Sequence, residues 1–536
     1  MRSFRRDPLN LGLASLTRSA GAVLVLLIAS LAADTAAQGP YFRKVQGEAV
    51  PGLVLEGDRI GDVNQDGYDD FSLWSGDPAR VISGLDRQVW AVFGTAEVGG
   101  GTRRAIGADV SGDGNPEIIY GSDVAKDLTV APSGIGGGWV QAFDGLTLES
   151  LWWTTGPGPT FFGHVLRRLG DVTGDGVDEI LVQAGNCPAL GCLYVVGANG
   201  AILSTIVGGS GSHAVGSPLY GPYRVGDVDG DGVVDFGYRF SNLGGGPGVA
   251  EIFSGASLGA TVIRVHPGDL QSGFGVGDTN GDGRDEYVLG NPELAVPSGA
   301  GAAWLFDGMT GAVLRTYTVG GSFHLGGGGG PLEDLDGDGV ADFVLGSAAL
   351  FYPPGTGPPG SYVFSTMTGA VLQGIPDGAS GVYPVGDLDR DGRLDLVAYR
   401  RWISTALPNF YTVWLRRTLI GPQNPVLPGG VISFQVDVPA QPGKPFRILL
   451  SGSVSTGFSL GTRRVPVDLD PILLGTLGDS GLLGLLDGAG QATRTLAVPA
   501  DPALSGLTVH GVVLTFDPTA PLYVRTIGAP ESVTIQ

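Results

Sequence analysis

Short apolar runs dominate this chain. FSLWSG, EIIYGS, EILVQA, DFGYRF, EYVLGN, DFVLGS and DLVAYR are rich in Val, Ile, Leu and aromatics, and most reach a Gly. Runs this short, bounded by turn residues, predict buried strands rather than helices. More strands flank each run. Around EYVLGN, GFGVGD from Gly273, GAAWLFDG from Gly301 and AVLRTYTVGG from Ala312 complete a set of four, and the tight turn DGMTG joins the last two. Similar pairs recur as CLYVVGANGAILSTIVGG, AEIFSGASLGATVIRV and SYVFSTMTGAVLQGI. Four strands in a repeat of roughly forty to sixty residues predict a propeller blade.

An acidic pattern, D-x-[DNST]-x-D-G-x-x-[DE], precedes each apolar run. It begins at Asp62, Asp109, Asp171, Asp227, Asp278, Asp334 and Asp387, at near-regular intervals. These windows hold 27 of the 53 acidic residues, so the charge is concentrated rather than spread over a solvated surface. The spacing suits a hard cation. Oxygens at positions 1, 3 and 5 curl around one centre, Gly at position 6 permits the sharp turn, position 7 offers its carbonyl, and the acid at position 9 closes the shell. The expected ligands are Asp62, Asn64, Asp66, Tyr68 and Asp70 in the first loop, and Asp109, Ser111, Asp113, Asn115 and Glu117 in the second. Those of the third are Asp171, Thr173, Asp175, Val177 and Glu179, and of the fourth Asp227, Asp229, Asp231, Val233 and Asp235. The fifth offers Asp278, Asn280, Asp282, Arg284 and Glu286, the sixth Asp334, Asp336, Asp338, Val340 and Asp342, and the seventh Asp387, Asp389, Asp391, Arg393 and Asp395. Calcium, up to seven ions, is expected over Mg²⁺, which prefers a tighter octahedron, and over Zn²⁺ or copper, because no His or Cys lies in the windows. Helices would flank an EF-hand loop; here the flanks are strands.

FFGHVLRRLGDVTGDGVDEILV, Phe161 to Val182, resembles an FG-GAP (VCBS) repeat, the blade of the integrin α-subunit propeller and of many secreted bacterial proteins. The resemblance covers roughly residues 41–417. The calcium-loop part matches closely, whereas only the third and fifth repeats keep Phe-Gly, at Phe162-Gly163 and Phe274-Gly275. The second loop departs at Ser111 and Pro116. The resemblance implies an adhesion or binding role, with the partner on the face away from the ions. The connections that emerge on that face vary most, which is where recognition is expected. Lys126, Phe351, Tyr352 and the loop between Cys187 and Cys192 belong to it.

The last repeat lacks a fourth strand before Pro422, and YFRKVQGEAV, Tyr41 to Val50, is the candidate to complete it and close the ring. An open ring would leave strand edges bare. Residues 421–536 carry no acidic loop and predict a β-sandwich from VISFQVDV, FRILLSGS, TRTLAVPA, LTVHGVVLTF and LYVRTIGA. GLLGLLDG, Gly481 to Gly488, reads equally as a short helix or a buried strand. The expected fold is thus all-β: a seven-bladed β-propeller over 38–420 followed by a C-terminal β-sandwich over 421–536.

Residues 1–37 read as a cleaved signal peptide: a basic start, a 13-residue apolar core from Gly21 to Ala33, too short to span a bilayer, and small residues at 35–37. Export implies a secreted, cell-surface or periplasmic protein, in which Cys187 and Cys192 form a local disulfide. The net charge of −22 argues against nucleic acid and anionic membranes as partners. It leaves an extracellular protein or polysaccharide as the ligand.

Signs of catalysis are sparse. No two of His164, His213, His266, His324 and His510 share a ligand spacing, and His164 reads as a packing residue. GFSLG, Gly457 to Gly461, matches the G-x-S-x-G elbow but lies among strands rather than at a strand-to-helix turn. GGGGG, Gly326 to Gly330, lacks the helix and G-K-[ST] of a phosphate loop. The pairs Trp152-Trp153 and Phe161-Phe162 read as inter-blade core rather than sugar platforms. Two alternatives to a binding module remain: a polysaccharide lyase on a calcium propeller, which requires acids, a basic residue and aromatics in one central groove that the sequence does not reveal, and a purely structural envelope protein.

Overall fold

The computed structural model describes residues 40–536 except 51–53, 76–77, 95–102, 124–136, 159, 186–191, 208–212, 216–220, 243–246, 293, 295–300, 321–323, 348–359, 377–380, 401–408 and 423. The expected signal peptide, Cys187, Lys126, Phe351 and Tyr352 lie outside these residues.

The strand pattern becomes a series of antiparallel sheets. Sheet A contains Val54–Gly61, Asp70–Ser75, Ala79–Ile82 and Val89–Phe93; sheet B contains Arg103–Ala108, Glu117–Ser122, Trp139–Phe143 and Ser150–Thr155. Sheet C runs through Phe162–Gly170, Glu179–Ala184, Cys192–Val196 and Ile202–Val207. In sheet D, Asp235–Asn242 pairs with both His213–Val215 and Tyr223–Gly226, and Val249–Phe253 and Val262–Pro267 follow. Sheet E is built from Ser272–Gly277, Glu286–Asn291, Ala302–Phe306 and Val313–Tyr317, and sheet F from Leu325–Pro331, Phe343–Ser347, Ser361–Phe364 and Val371–Ile375.

Sheet G joins the two ends of this region. Gly381–Gly386, Asp395–Arg400 and Asn409–Arg416 are followed, on the outer edge, by Phe42–Val50 in antiparallel register, with Phe42 opposite Arg416 and Val50 opposite Asn409. The N-terminal strand therefore fills the outer place that the last repeat lacks.

Each sheet buries its faces against its neighbours. Glu117–Ser122, Glu179–Ala184 and Glu286–Asn291 are buried at every position, as strands covered on both sides must be. Outer strands such as Ser150–Thr155 are half-exposed. Shared cores hold B against C, C against D, and E against F. Phe71, Leu73, Val397 and Tyr411 join A to G and so close the circle. The architecture is that of a β-propeller.

The C-terminal region adds two larger sheets and a two-stranded hairpin, Phe458–Leu460 with Arg463–Val465. Leu419–Ile420, Val431–Asp437 and Gln491–Ala497 form one; Leu483–Leu485, Pro445–Ser451, Thr508–Phe516, Val524–Ile527 and Glu531–Thr534 form the other. Phe434 and Val436 of the first share a core with Phe446, Ile448 and Val513 of the second. GLLGLLDG becomes a 3-10 turn, Ser480–Leu482, and then an edge strand whose Leu485 is 64% exposed, while Leu482 and Leu486 enter the core. The sequence pattern missed a short helix, Pro471–Thr476, capped by the Asp470 carboxylate on the Leu473 amide.

Candidate functional site: the acidic loops

Each acidic loop joins the first and second strands of its sheet, and all follow one hydrogen-bond plan. In the fourth loop the Asp227 carboxylate accepts the amides of Gly230 (2.7 Å), Asp231 (3.0 Å) and Gly232 (2.8 Å). Asp231 in turn accepts from the Val233 amide at 2.9 Å. Position 6 takes a positive φ, +86° at Gly232, which is why Gly stands there. Asp235 at position 9 accepts the Val228 amide at 2.8 Å and, across the sheet, the Gly255 amide at 2.9 Å.

The position-9 carboxylates are the most enclosed. Asp70, Asp235, Glu286, Asp342 and Asp395 are 0% exposed. Burial, with the neighbouring acids adding to it, raises Asp70 to about 8, Asp235 to about 7 and Asp342 to about 6. Position-1 acids on the surface behave oppositely, since backbone amides hold Asp278 and Asp334 below the usual carboxylate range.

Carboxylate oxygens converge to within 4.8 Å of one another in Asp109, Asp113 and Glu117, in Asp227, Asp229 and Asp235, in Asp334, Asp336 and Asp342, and in Asp387, Asp389 and Asp395. In the fifth loop the convergent set is Asp282, Glu286 and Asp307. Asp307 comes from the turn between the third and fourth strands, which sequence reading had passed over as a plain turn. Its carboxylate accepts Asn280 Nδ2 at 3.2 Å. Ser83 holds the same place in sheet A and donates to Asp66 at 3.1 Å. That turn, D-G or S-G, was the available signal.

Cation chemistry fits these residues. Asp62 Oδ1, Asp389 Oδ2 and Asp391 Oδ2 are buried without any hydrogen-bond partner. A buried, unpaired carboxylate oxygen carries a large desolvation cost that a bound cation removes. The donors are all hard oxygens, as Ca²⁺ requires.

The seventh loop differs from the rest in its surroundings. The C-terminal region lies on it: the Ala440 amide donates to Asp391 O at 3.1 Å, Gln441 Nε2 to Arg390 O at 2.7 Å, and Arg393 pairs with Asp437 at 2.5 Å. Arg390 reaches Gly67 O of the first loop, where Tyr68 donates its hydroxyl to Arg525 O. Burial and the surrounding acids raise Asp391 to about 8 and Asp389 and Asp395 well above the usual range.

Position 8, which the pattern leaves open, links neighbouring loops. Asp178 of the third loop accepts the amide of Asp109, first residue of the second, at 2.7 Å, and its own amide donates back to Asp109 O at 2.8 Å. Asp285 does the same to Asp227 at 2.9 and 2.8 Å, and Asp69 to Asp387 at 3.0 and 3.2 Å. A first-position ligand of one loop is thus held by its neighbour.

Other singled-out residues settle as follows. His164 is not simply packed: its Nδ1 lies 2.7 Å from Asp123 Oδ2, and both side chains are largely buried. His266 packs against Phe306 with ring centroids 4.2 Å apart and tilted by 48°, and meets the Tyr287 hydroxyl at 2.7 Å; burial lowers its pKa to about 4. His324 contacts Pro292 O, and His510 contacts Ser532. Ser459 of GFSLG pairs with Arg464 in a small hairpin, so no nucleophile elbow exists there. Phe162 is core and Trp152 partly so, whereas Trp153 is 57% exposed. Cys192 is disulfide-bonded.

A cavity of about 670 Å³ lies where the first strands of the sheets meet. Its walls include Arg59, Arg167, Arg168, Arg224, Asp58, Phe274 and Tyr383. Acids, bases and aromatics from four separate repeats and the closing one converge there, a cluster invisible in the linear sequence.

No family model matches this chain, and no curated protein matches it. Among solved structures, it is similar to the Dos1 propeller with a TM-score of 0.41 and 10% identity, over 70% of this chain and 95% of that one. It is likewise similar to Raptor of Chaetomium thermophilum with a TM-score of 0.41 and 12% identity, over 77% of this chain and 33% of that one. Likenesses this distant carry no functional argument.

Proposed function

We propose that the chain is a secreted, calcium-stabilised binding module: a seven-bladed β-propeller of the FG-GAP type with a C-terminal β-sandwich, acting in adhesion or capture of an extracellular protein or polysaccharide. The observation that carries this reading is the repeated convergence of acidic side chains around a buried carboxylate in loops of one geometry. Seven divalent ions would bring fourteen positive charges and move the net charge from −22 to about −8. The ions act as clips, not catalysts. At ten times Kd each site adds about 1.4 kcal/mol to folding, so seven independent sites add roughly 10 kcal/mol, as much as a domain's whole stability.

A second reading, a polysaccharide lyase, is favoured by the arginines, acids and tyrosine of the axial cavity. A glycan array probed with the full secreted chain, with and without EDTA, tests both. Calcium-dependent retention without cleavage supports the binding module; shortened, unsaturated products support the lyase. Silence on glycans and on extracellular proteins overturns both in favour of a purely structural role.

A further inference from the structure

Neighbouring sheets are stapled by their outer strands. In sheets B, D and E the third residue of the outer strand reaches the turn between the third and fourth strands of the next sheet. Trp152 covers Gly200, where a Cβ would lie 2.8 Å from the indole ring. Arg264 donates to Gly308 O at 2.8 Å, and Arg315 to Thr368 O at 3.0 Å. Sheet G has no such turn, because its third and fourth strands come from opposite ends of the ring sequence. The third residue of the outer strand of sheet F, Gln373, is buried and meets the chain start instead. Its Oε1 accepts the amides of Tyr41 and Phe42, both at 3.0 Å, and its Nε2 donates to Phe42 O at 3.1 Å. Three hydrogen bonds from one side chain stand where the other sheets have a covalent turn.

The C-terminal region grips the same strand. Glu531 pairs with Arg43 of that strand at 3.0 Å and with Arg417, one residue beyond the third strand of sheet G. All three residues are less than a tenth exposed. The Arg417 amide also donates to Tyr41 O at 3.0 Å, so one carboxylate holds the two segments that a turn would have joined. Withdrawing the C-terminal region takes this carboxylate from two buried guanidiniums, and withdrawing the strand takes a guanidinium from a buried carboxylate. Either loss is costly. The C-terminal region has a second anchorage on the seventh loop, through Asp437 on Arg393 and the Ala440 amide on Asp391 O.

We infer that the first strand and the C-terminal region form one clasp on the ring: Gln373 seats the strand, Glu531 joins it to the C-terminal region, and each half docks more tightly when the other is in place. Gln373 acts as a positioning residue. Coupling of this kind is reciprocal, so loosening either half loosens the other. The clasp makes the seam between the two ends of the ring, rather than the seams among sheets B to E, the place where the ring opens.

Hydrogen exchange of the full chain in calcium-containing buffer, read by mass spectrometry, tests it with one variant in each half. Gln373→Ala should speed exchange at residues 42–50 about tenfold or more, since three hydrogen bonds are lost. It should also speed exchange about fivefold or more in the fragment carrying the Ala440 amide, the lower end of ordinary coupling. Asp437→Asn, made at the seventh-loop anchorage, should speed exchange at residues 42–50 by a similar factor. Sheets C and D should keep their rates in both variants. Effects confined to the altered half would overturn the coupling, and equal acceleration in every sheet would overturn the clasp as a separate unit. Unchanged rates at residues 42–50 in Gln373→Ala would overturn the role given to Gln373. If that variant does not fold, the unaltered chain decides. With rising denaturant, residues 42–50 and the Ala440 fragment should converge on one opening free energy, below that of sheets C and D; two separate values would overturn the inference.

Discussion

The sixth and seventh acidic loops share a sequence plan, DLDGDGVAD and DLDRDGRLD, but not an environment. Asp338 of the sixth is exposed; Asp391, at the same position of the seventh, is 0% exposed beneath the C-terminal region. Position 5 is exposed in the second to sixth loops, half-buried in the first and buried only in the seventh. The carboxylates of the open loops lie at the surface, whereas Asp389, Asp391 and Asp395 of the covered loop are buried and form no ion pair among the described residues. Arg393 is turned to Asp437, and Arg416 lies 4.0 Å from Glu333. The same nine residues thus make a surface clip in one place and the floor of an interface in another. Under the proposed calcium reading, ion occupancy in the seventh loop would be tied to docking of the C-terminal region.

The largest expected effect is that of chelation. EDTA should remove up to roughly 10 kcal/mol of stability, and ion release followed with a calcium dye should have a fast phase from the open loops and a slow one from the covered loop. A single phase would break the comparison.

Next is Glu531→Ala. Glu531 is buried and pairs with Arg43 of the N-terminal strand at 3.0 Å and with Arg417 just after the closing sheet, so it ties chain start, ring and C-terminal region together. Removing the buried carboxylate that both guanidiniums share costs about 3–5 kcal/mol. Denaturant unfolding should show that loss, and the slow phase of ion release should become fast. A loss under 1 kcal/mol would mean the C-terminal region is held elsewhere.

Asp178→Asn should cost about 1–3 kcal/mol, the worth of hydrogen bonds to a charged group, and should weaken calcium binding in the second loop as well as the third, because Asp178 holds Asp109. Calorimetric titration showing an effect on the third loop alone would sever the inter-loop link.

A smaller effect separates the two loops directly. Without calcium, the folded pKa of Asp391, about 8, stands above its unfolded value of 3.8. The folded state then binds more protons, so metal-free stability should rise as pH falls from 8 towards 4. Asp391→Asn should flatten that slope, and Asp338→Asn should leave it unchanged. Equal slopes in the two variants would show that burial of the seventh loop does not matter.

Strand repetition and loop spacing were legible because they are local: a short continuous apolar run, a fixed D-x-D-x-D-G turn, a Gly needed at positive φ. The role of the N-terminal strand was legible too, since a repeat one strand short must find its partner elsewhere. Asp307 was missed because it lies in a different turn from the loop it serves, and position 8 because Asp there alternates with Pro, Val, Ala and Leu. His164 read as packing because its partner, Asp123, lies 41 residues away in another sheet.

By itself, then, the sequence determined the repeat, the strands and the seven acidic loops, because steric and hydrogen-bond rules within nine residues suffice to build each loop. Only the tertiary structure decided which loop lies under the C-terminal region, which acids answer to which arginines, and that four distant arginines share one cavity. Burial and charge compensation depend on what the rest of the chain places within a few ångströms, and sequence separation does not encode that distance.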